Sequence, residues 1–342
     1  MCKHAKLWVR AGRCLALVTL SAGASGCALV RQYQAHGHVD QGERLFAQED
    51  IEAALAEFQA AAELDPHMAV AHSRMGVIYQ RMGEYEQAIR CFVNALRNNP
   101  FSFNDTLNLA RLYHFSKRLD DAVEAYLHAC DIKPDDFDAQ LNLGVCYQEL
   151  GQTAQAVERF SEAIEIDSNR PDAFVNLGVA YDAQGKYYEA IRAYKEALER
   201  DNHQPLLLVN LARTYLQQDR LKIARVTLTM AVAMDEQLAP AHEALGYCLF
   251  RIQDYDGAER SYENALRCDS KLPRTYAGLG SISALRFLRD QSQKVMRDRA
   301  LEYWHRSLEL DPHQPKIRTL VAKYKPRAAN PETVLLSNRP AE

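Results

Sequence analysis

A small residue recurs every 34 positions along most of this chain, and this period constrains the fold more than any other feature. The residues are Gly76, Ala110, Gly144, Gly178, Ala212, Gly246 and Gly280. Alanine recurs in two further registers, 12 and 19 residues later, beginning at Ala88 and Ala95. Two helices pack closely only where the side chains between them are small. The period therefore predicts a helical solenoid built from pairs of helices.

Other residues hold fixed places within the repeat. In one repeat these are Met75, Gly76, Tyr79, Gly83, Ala88, Phe92, Ala95 and Pro100. This pattern resembles the tetratricopeptide repeat family, whose unit is a 34-residue helix-turn-helix. The resemblance implies an all-α, right-handed superhelical solenoid of about eight repeats, closed by a C-terminal capping helix.

The chain divides into five predicted segments. They are a signal peptide (1–26), a lipidated linker (27–34), eight repeats (35–314), a capping helix (315–325) and a disordered tail (326–342). The repeats are predicted to start near residues 35, 69, 103, 137, 171, 205, 239 and 273. The eighth has about eight extra residues between its helices, and this stretch is rich in arginine and lysine. It is either a longer solvated helix hairpin or a basic patch for an acidic partner.

The first 26 residues have the three-part order of a secretory signal peptide. Four basic residues precede a short apolar run over 14–20, and small residues follow. The apolar run is too short to span a bilayer. The sequence Ala24-Ser25-Gly26-Cys27 resembles the lipobox of bacterial lipoproteins. By that resemblance, Cys27 would be acylated and become the mature N-terminus. An ordinary or uncleaved signal, or a weakly hydrophobic cytoplasmic leader, are the alternatives.

These features predict an extracytoplasmic protein anchored to a bacterial membrane by lipid. The residue after the cysteine is Ala28 rather than the aspartate that resemblance associates with inner-membrane retention, which favours the outer membrane. Five cysteines within the repeats argue for the cytoplasm instead, because an oxidising compartment tolerates few unpaired thiols. If the leader is misread, the chain is cytoplasmic.

Composition and motifs exclude several classes of function. Removing the leader takes away four basic residues and moves the net charge from −4 to about −8, which is unfavourable for binding nucleic acid. No phosphate loop, nucleophile elbow or cysteine–histidine motif is present, so the chain is not expected to be an enzyme. The cysteines and histidines lack the spacing of metal ligands, and we expect neither a metal nor a cofactor.

The functional signal lies on the first helix of each repeat, on the side opposite the packing face. Asparagine occupies the same place in four consecutive repeats, at Asn108, Asn142, Asn176 and Asn210. An amide offers one donor and one acceptor, which match a peptide group. Helices about 8–10 Å apart would meet an extended strand at about every third residue. The row resembles the asparagine ladder in the repeat half of O-linked N-acetylglucosamine transferases, whose catalytic half is absent here.

Charged residues flank this row. Arg74 and Arg111 lie at its N-terminal end and Arg213 further along, so they could set the direction of a bound segment. The alternative is that the arginines form an ordinary solvated surface and that the asparagines merely follow repeat duplication.

The sequence thus predicts a non-catalytic scaffold that binds an extended segment of a partner protein in a concave groove. By resemblance to lipoproteins of this architecture, it would help to assemble complexes of the cell envelope. The alternative is a cytosolic scaffold or regulatory module similar to the repeat half of the transferases named above. A protein partner and a membrane are expected, nucleic acid is not, and a homo-oligomer is an open option.

Overall fold

The computed structural model describes residues 29–325, and every regular element in that range is an α-helix. The predicted signal peptide (1–26), the lipidation site Cys27 and the predicted tail (326–342) lie outside the described residues. The predicted all-α array of helix-turn-helix repeats with a C-terminal capping helix is confirmed.

In chain order, α1 spans residues 29–47, and sixteen further helices follow within the described range. They are α2 (Ile51–Leu64), α3 (Ala69–Arg81), α4 (Tyr85–Asn98), α5 (Phe103–Phe115), α6 (Leu119–Ile132), α7 (Phe137–Glu149), α8 (Thr153–Ile166), α9 (Pro171–Ala183), α10 (Tyr187–Arg200), α11 (Pro205–Gln217), α12 (Leu221–Met234), α13 (Ala239–Arg251), α14 (Tyr255–Cys268), α15 (Pro273–Arg289), α16 (Lys294–Leu310) and α17 (Pro315–Tyr324). Odd-numbered helices up to α15 are the first helices of the repeats, and even-numbered ones are the second helices.

The chain forms two compact units. The first unit ends at Ser168 and contains α1 to α8, and the second begins at Asn169 and contains α9 to α17. Within each unit the two helices of a repeat pack as an antiparallel hairpin, and the second helix also contacts the first helix of the following repeat. In the second unit, α9, α11, α13 and α15 additionally contact one another in order.

Where the recurring small residue is glycine, it lies against an aromatic ring from the second helix of its own repeat. A methyl group added at Gly144 would lie 2.6 Å from the ring of Phe160, and one at Gly178 would lie 2.4 Å from Tyr194. Phe160 is fully buried by this contact. Burying one such ring contributes about 1.5–3 kcal/mol to the free energy of folding. The small residue is therefore required by the close approach of the ring.

The turn inside each of the first seven hairpins contains one residue with a left-handed backbone. In the first seven repeats these residues are Glu49, Gly83, Lys117, Gly151, Gly185, Asp219 and Gln253, and their φ angles lie between 59° and 78°. Glycine adopts this conformation freely, whereas in the other residues it costs about 1 kcal/mol or more of conformational free energy. The turn geometry is thus kept even where glycine is absent.

One segment differs from the expectation, and a second shows which helices the extra residues of the eighth repeat enter. The segment 27–34 was assigned to a linker, but α1 is already helical from residue 29, because residues 29–34 contain neither glycine nor proline. In the eighth repeat the extra residues form a longer helix hairpin, which is one of the two alternatives given above. They lengthen both helices, so that α15 and α16 have 17 residues each, against 13 and 14 in α7 and α8.

The capping helix α17 covers the last apolar face. Its residues Ile317, Leu320, Val321 and Tyr324 pack against a cluster of Ala284, Ala300 and Trp304. The rings of Tyr324 and Trp304 lie 5.3 Å apart in an edge-to-face arrangement. These contacts bury Trp304 almost completely.

Candidate functional site

In the first unit, the predicted asparagines lie on α5 and α7 and are partly exposed. The side-chain amide nitrogen of Asn142 donates a hydrogen bond to the backbone carbonyl of Asp138, at 2.7 Å. This bond lies within one turn of the same helix, so it occupies one N–H of the amide and leaves the second N–H and the carbonyl oxygen for a ligand. Asn108 makes no side-chain hydrogen bond within the described residues, so its amide is available.

In the second unit, Asn176 and Asn210 lie on the neighbouring first helices α9 and α11. Both are partly exposed. Neither side chain makes a hydrogen bond to another residue in the part of the chain that the structure describes. Two adjacent helices therefore present an amide each to solvent, as a backbone-binding surface requires.

The predicted arginines of the first unit are engaged in ion pairs between successive first helices. Arg74 on α3 pairs with Glu43 on α1. Nη2 of Arg111 on α5 lies 3.8 Å from Oδ2 of Asp138 on α7. All these side chains are more than a third exposed. Such surface pairs contribute only about 0–1 kcal/mol, so a ligand carboxylate can replace either acid.

A groove of the second unit lies on the first helices α11, α13 and α15 and the start of α17. Its volume is about 540 Å³, and we call it the aromatic groove. Arg213, Leu216, Glu243, Tyr247, Phe250 and Lys316 are among its lining residues. The groove opens where the row of asparagines ends, because the residues one and two repeats after Asn210 are Ala244 and Gly278. These small residues leave space that an asparagine would fill.

Aromatic side chains form the walls of the aromatic groove. Tyr247 is 45% exposed, Phe250 is half-buried, and Tyr262 reaches the groove from the second helix α14. A methyl group at Gly278 would lie 2.6 Å from the Tyr262 ring, so glycine lets this ring reach the floor. Burial, with smaller contributions from Glu243 and Tyr247, raises the pKa of Tyr262. Its hydroxyl therefore stays protonated and can donate to a ligand.

Three cations border the aromatic groove. Arg213, Arg274 and Lys316 are exposed, and none of them forms an ion pair with another residue of the range 29–325. The one lining carboxylate, Glu243, accepts a hydrogen bond from the Thr275 hydroxyl at 3.1 Å. The groove is thus locally positive in a chain whose net charge is −4. This arrangement favours a ligand that carries acidic and apolar side chains together.

Sequence reasoning found only part of this groove. It singled out Arg213, but it missed Tyr247, Phe250, Arg274 and Lys316. A signal was present in the sequence, since Ala244 and Gly278 interrupt the asparagine register, and Tyr247 lies one repeat after Arg213.

A partly buried carboxylate joins three helices beside Asn176 and Asn210. Oδ2 of Asp182 on α9 accepts hydrogen bonds from the Tyr194 hydroxyl on α10, at 2.8 Å, and from the Thr214 hydroxyl on α11, at 2.7 Å. Its other oxygen, Oδ1, is buried without a partner in the described structure. Burial raises the pKa of Asp182, although the two hydrogen bonds oppose this effect. The contact fixes α9 against α11 and so positions the partly exposed asparagines.

Two properties of the described region bear on other classes of function. Residues 29–325 contain no group of three or more histidine, cysteine, aspartate or glutamate side chains arranged to hold a metal ion. None of the helices in this part of the chain is both long enough and apolar enough to traverse a bilayer.

Comparison with known families identifies the repeat. The family model described as the cilia and flagella-associated protein 70 C-terminal domain, a tetratricopeptide repeat domain, matches residues 4–275. The chain belongs to this family. The resemblance to tetratricopeptide repeats is therefore confirmed. The matched range also includes most of the segment predicted as a signal peptide (1–26). No curated protein matches the sequence.

Solved tetratricopeptide repeat structures share the fold. The C-terminal part of a repeat protein from Cytophaga hutchinsonii has a TM-score of 0.58 at 18% identity, over 70% of this chain and 99% of that one. A repeat protein from Parabacteroides merdae has a TM-score of 0.53 at 17% identity, over 69% and 94%. A chain of the APC/C hetero-tetramer Cut9-Hcn1 has a TM-score of 0.58 at 15% identity, over 84% and 55%.

Proposed function

We propose that this tetratricopeptide repeat protein is a non-catalytic scaffold that binds an extended segment of a partner protein. The segment carries acidic and apolar side chains, and it lies in the aromatic groove of the second unit. The observation that supports this most strongly is the set of three unpaired cations, Arg213, Arg274 and Lys316, around aromatic walls.

The dimensions of the groove suit an extended chain. First helices lie about 8–10 Å apart, and an extended peptide advances about 3.3 Å per residue, so each helix meets about three residues. The apolar side chains of the segment would contact Tyr247 and Phe250, and its carboxylates would pair with the cations. Toward α9, the amides of Asn176 and Asn210 would bind peptide groups of the same segment.

A binding experiment with synthetic peptides tests the groove. We expect a labelled peptide of alternating glutamate and leucine to bind the full chain, and a lysine–leucine peptide not to bind, as measured by fluorescence anisotropy. Arg213→Ala and Arg274→Ala should each weaken binding about tenfold, or ~1.4 kcal/mol. Arg260→Ala, on the exposed outer side of α14, is the matched control. Equal binding of both peptides, or equal effects of all three variants, would contradict the proposal.

The same experiment tests the asparagines. Changing Asn176 and Asn210 together to alanine should weaken binding by about 1–3 kcal/mol, at about 0.5–1.5 kcal/mol per hydrogen bond. The melting temperature should hardly change, because neither side chain bonds to a described residue. Arg260→Ala, on the outer side of α14, is again the control and should leave binding unchanged. A sharp loss of stability would show that these amides are structural.

We further propose that the scaffold is lipid-anchored outside the cytoplasm, with the outer membrane favoured, and that it helps to assemble envelope complexes. The sequence Ala24-Ser25-Gly26-Cys27 supports this. Labelled palmitate should enter the wild-type protein and not Cys27→Ala. Absence of label from the wild-type protein would rule out the anchor.

A cytosolic scaffold is the second candidate, and two observations favour it. The family match begins at residue 4, inside the predicted leader. Four free cysteines, Cys91, Cys130, Cys146 and Cys248, are buried in the repeats, as suits a reducing compartment. The intact mass of the protein purified from its native cells separates the two candidates. A chain that retains residues 1–26 is the cytosolic scaffold, and one that begins at a modified Cys27 is the lipoprotein.

A further inference from the structure

The outer face of the second helix α12 carries an exposed apolar stripe. Ile223, Val226 and Met230 are 40%, 56% and 53% exposed, and Ala233 continues the row. The opposite side of α12 packs into the repeat array through Ala224, Thr227, Leu228 and Ala231. The packing of the repeats therefore does not need the stripe.

Among the second to seventh repeats, the sixth alone has such a stripe. The place of Val226 is taken by Arg90, Glu124, Glu158, Arg192 and Arg260 in repeats two to five and seven. The place of Met230 is taken by Asn94, His128, Glu162, Glu196 and Asn264. Among the second helices, α12 is also the one without an acidic residue. Because an outer helix face is normally polar, this departure at successive turns points to a contact with another surface.

The spacing of the stripe fits a partner helix. Positions 223, 226, 230 and 233 follow the three-four-three spacing of a coiled-coil seam. An amphipathic helix that lies in a membrane usually carries large residues such as leucine, phenylalanine or tryptophan on its apolar face, and this stripe has none of them.

The stripe is complementary to itself. If two copies of α12 pair antiparallel about a two-fold axis at residue 228, Ile223 faces the second copy's Ala233, and Val226 faces the second copy's Met230. Each of these facing pairs then combines a larger side chain with a smaller one, which fills the space between the two helices.

The charges at the ends of α12 match in the same register. Arg220 precedes the helix and lies opposite the second copy's Glu236, which follows it. Both residues are exposed, and neither forms an ion pair with another residue of the described range. The two-fold axis repeats this contact, so the dimer gains two ion pairs at the edges of its apolar seam.

We propose that the protein self-associates through α12, as an antiparallel pair of helices from two copies of the chain. The contact uses the outer face and leaves the aromatic groove on the first helices open. Because one helix per copy forms the interface, its area falls below the roughly 1,200 Å² of a stable complex. The dissociation constant is therefore expected in the micromolar range.

Sedimentation of the full chain over a range of concentrations tests the dimer. Val226→Arg and Met230→Glu place at these positions residues that neighbouring repeats already carry there, so the variants should fold. Each should raise the dissociation constant at least tenfold. Arg260→Glu, at the place in α14 that corresponds to Val226, is the control and should leave self-association unchanged. A wild-type protein that remains monomeric at about 200 µM would overturn the proposal.

A charge exchange tests the register. Arg220→Glu and Glu236→Arg should each weaken self-association, and the two together should restore it, because every pair across the axis is then reversed. Failure of the double variant to recover would overturn the antiparallel register. Binding of the wild-type monomer, but not of Val226→Arg, to anionic vesicles would overturn the proposed dimer, since the stripe on α12 would then contact a membrane.

Discussion

At the scale of single residues, each glycine of the 34-residue period lies against a specific ring. A methyl group at Gly144 would lie 2.6 Å from Phe160, whereas one at Gly37 on α1 would meet nothing within 4 Å. Both glycines lie within helices. The same substitution should therefore have opposite effects at the two positions.

We expect Gly144→Leu to lower the free energy of unfolding by about 3 kcal/mol, because the leucine forces two helices apart. Gly37→Leu should raise it by about 0.5–1 kcal/mol, since leucine is the better helix former. Urea denaturation followed by circular dichroism measures both. A similar loss in both variants would mean that backbone flexibility, and not the ring contact, selects glycine.

Asp182 gives a prediction about pH. Burial raises the pKa of this carboxyl in the folded state, so the folded state binds the proton more tightly than the unfolded state. Its contribution to stability is fully present below the unfolded pKa, near 3.8, and is lost as the pH rises through the folded pKa. The urea midpoint should therefore fall with pH over this range by more in the wild type than in Asp182→Asn. Parallel pH profiles would contradict the assignment.

At the scale of helices, the ends of the array depend on tertiary packing. Tyr324 on α17 lies against the rings of Trp304 and Phe287, with centroids 5.3 and 6.4 Å away. Periodicity alone predicted that α17 would form a cap. It offered a longer helix hairpin as one alternative for the eighth repeat, but it did not fix how the extra residues divide between α15 and α16, because an insertion continues a helix only if a neighbour covers the added turn.

The cap should be a weak point of the second unit. Tyr324→Ala should destabilise α16 and α17 by about 1–3 kcal/mol, because it removes two aromatic contacts and exposes Trp304. Hydrogen exchange should show faster opening of these helices, with no change in α9 to α11. Thr319→Ala, on an exposed side of α17, is the control. Uniform acceleration in the second unit would show that the cap and the repeats open together.

At the scale of the whole molecule, the chain behaves as an array in which each repeat depends on its neighbours. Buried thiols report on both units. Burial raises the pKa of Cys130 to about 11 and of Cys146 to about 12 in the first unit, and it also raises that of Cys248 in the second. Each thiol should react with a labelling reagent only after local opening.

Gly144→Leu should accelerate labelling of Cys130 and Cys146 at least tenfold, and leave Cys248 unchanged, because few contacts connect distant repeats. Mass spectrometry of labelled peptides measures each rate. Cys268, which is partly exposed, should label quickly in both proteins and serves as the control. Equal acceleration at Cys248 would mean that the two units unfold as one.

The sequence by itself determined the repeat architecture, because the contacts that hold each repeat are made at fixed separations along the chain. Gly144 meets Phe160 sixteen residues later, and Gly178 meets Tyr194 at the same interval. Helical periodicity also predicted that the asparagines lie on an accessible face. It did not show that the amide of Asn142 bonds to its own helix, since that bond depends on a rotamer.

Only the tertiary structure decided where the groove lies and which charges are free. Tyr247, Arg274 and Lys316 come from three different helices, and they converge around space that Ala244 and Gly278 leave empty. Likewise, Arg111 occupies the same place in its repeat as Arg213, yet Arg111 pairs with Asp138 on a neighbouring helix. The 34-residue repeat in the sequence determines which helices are neighbours. The shape and charge of the surface between two neighbouring helices depend on the contacts of their side chains, which only the tertiary structure shows.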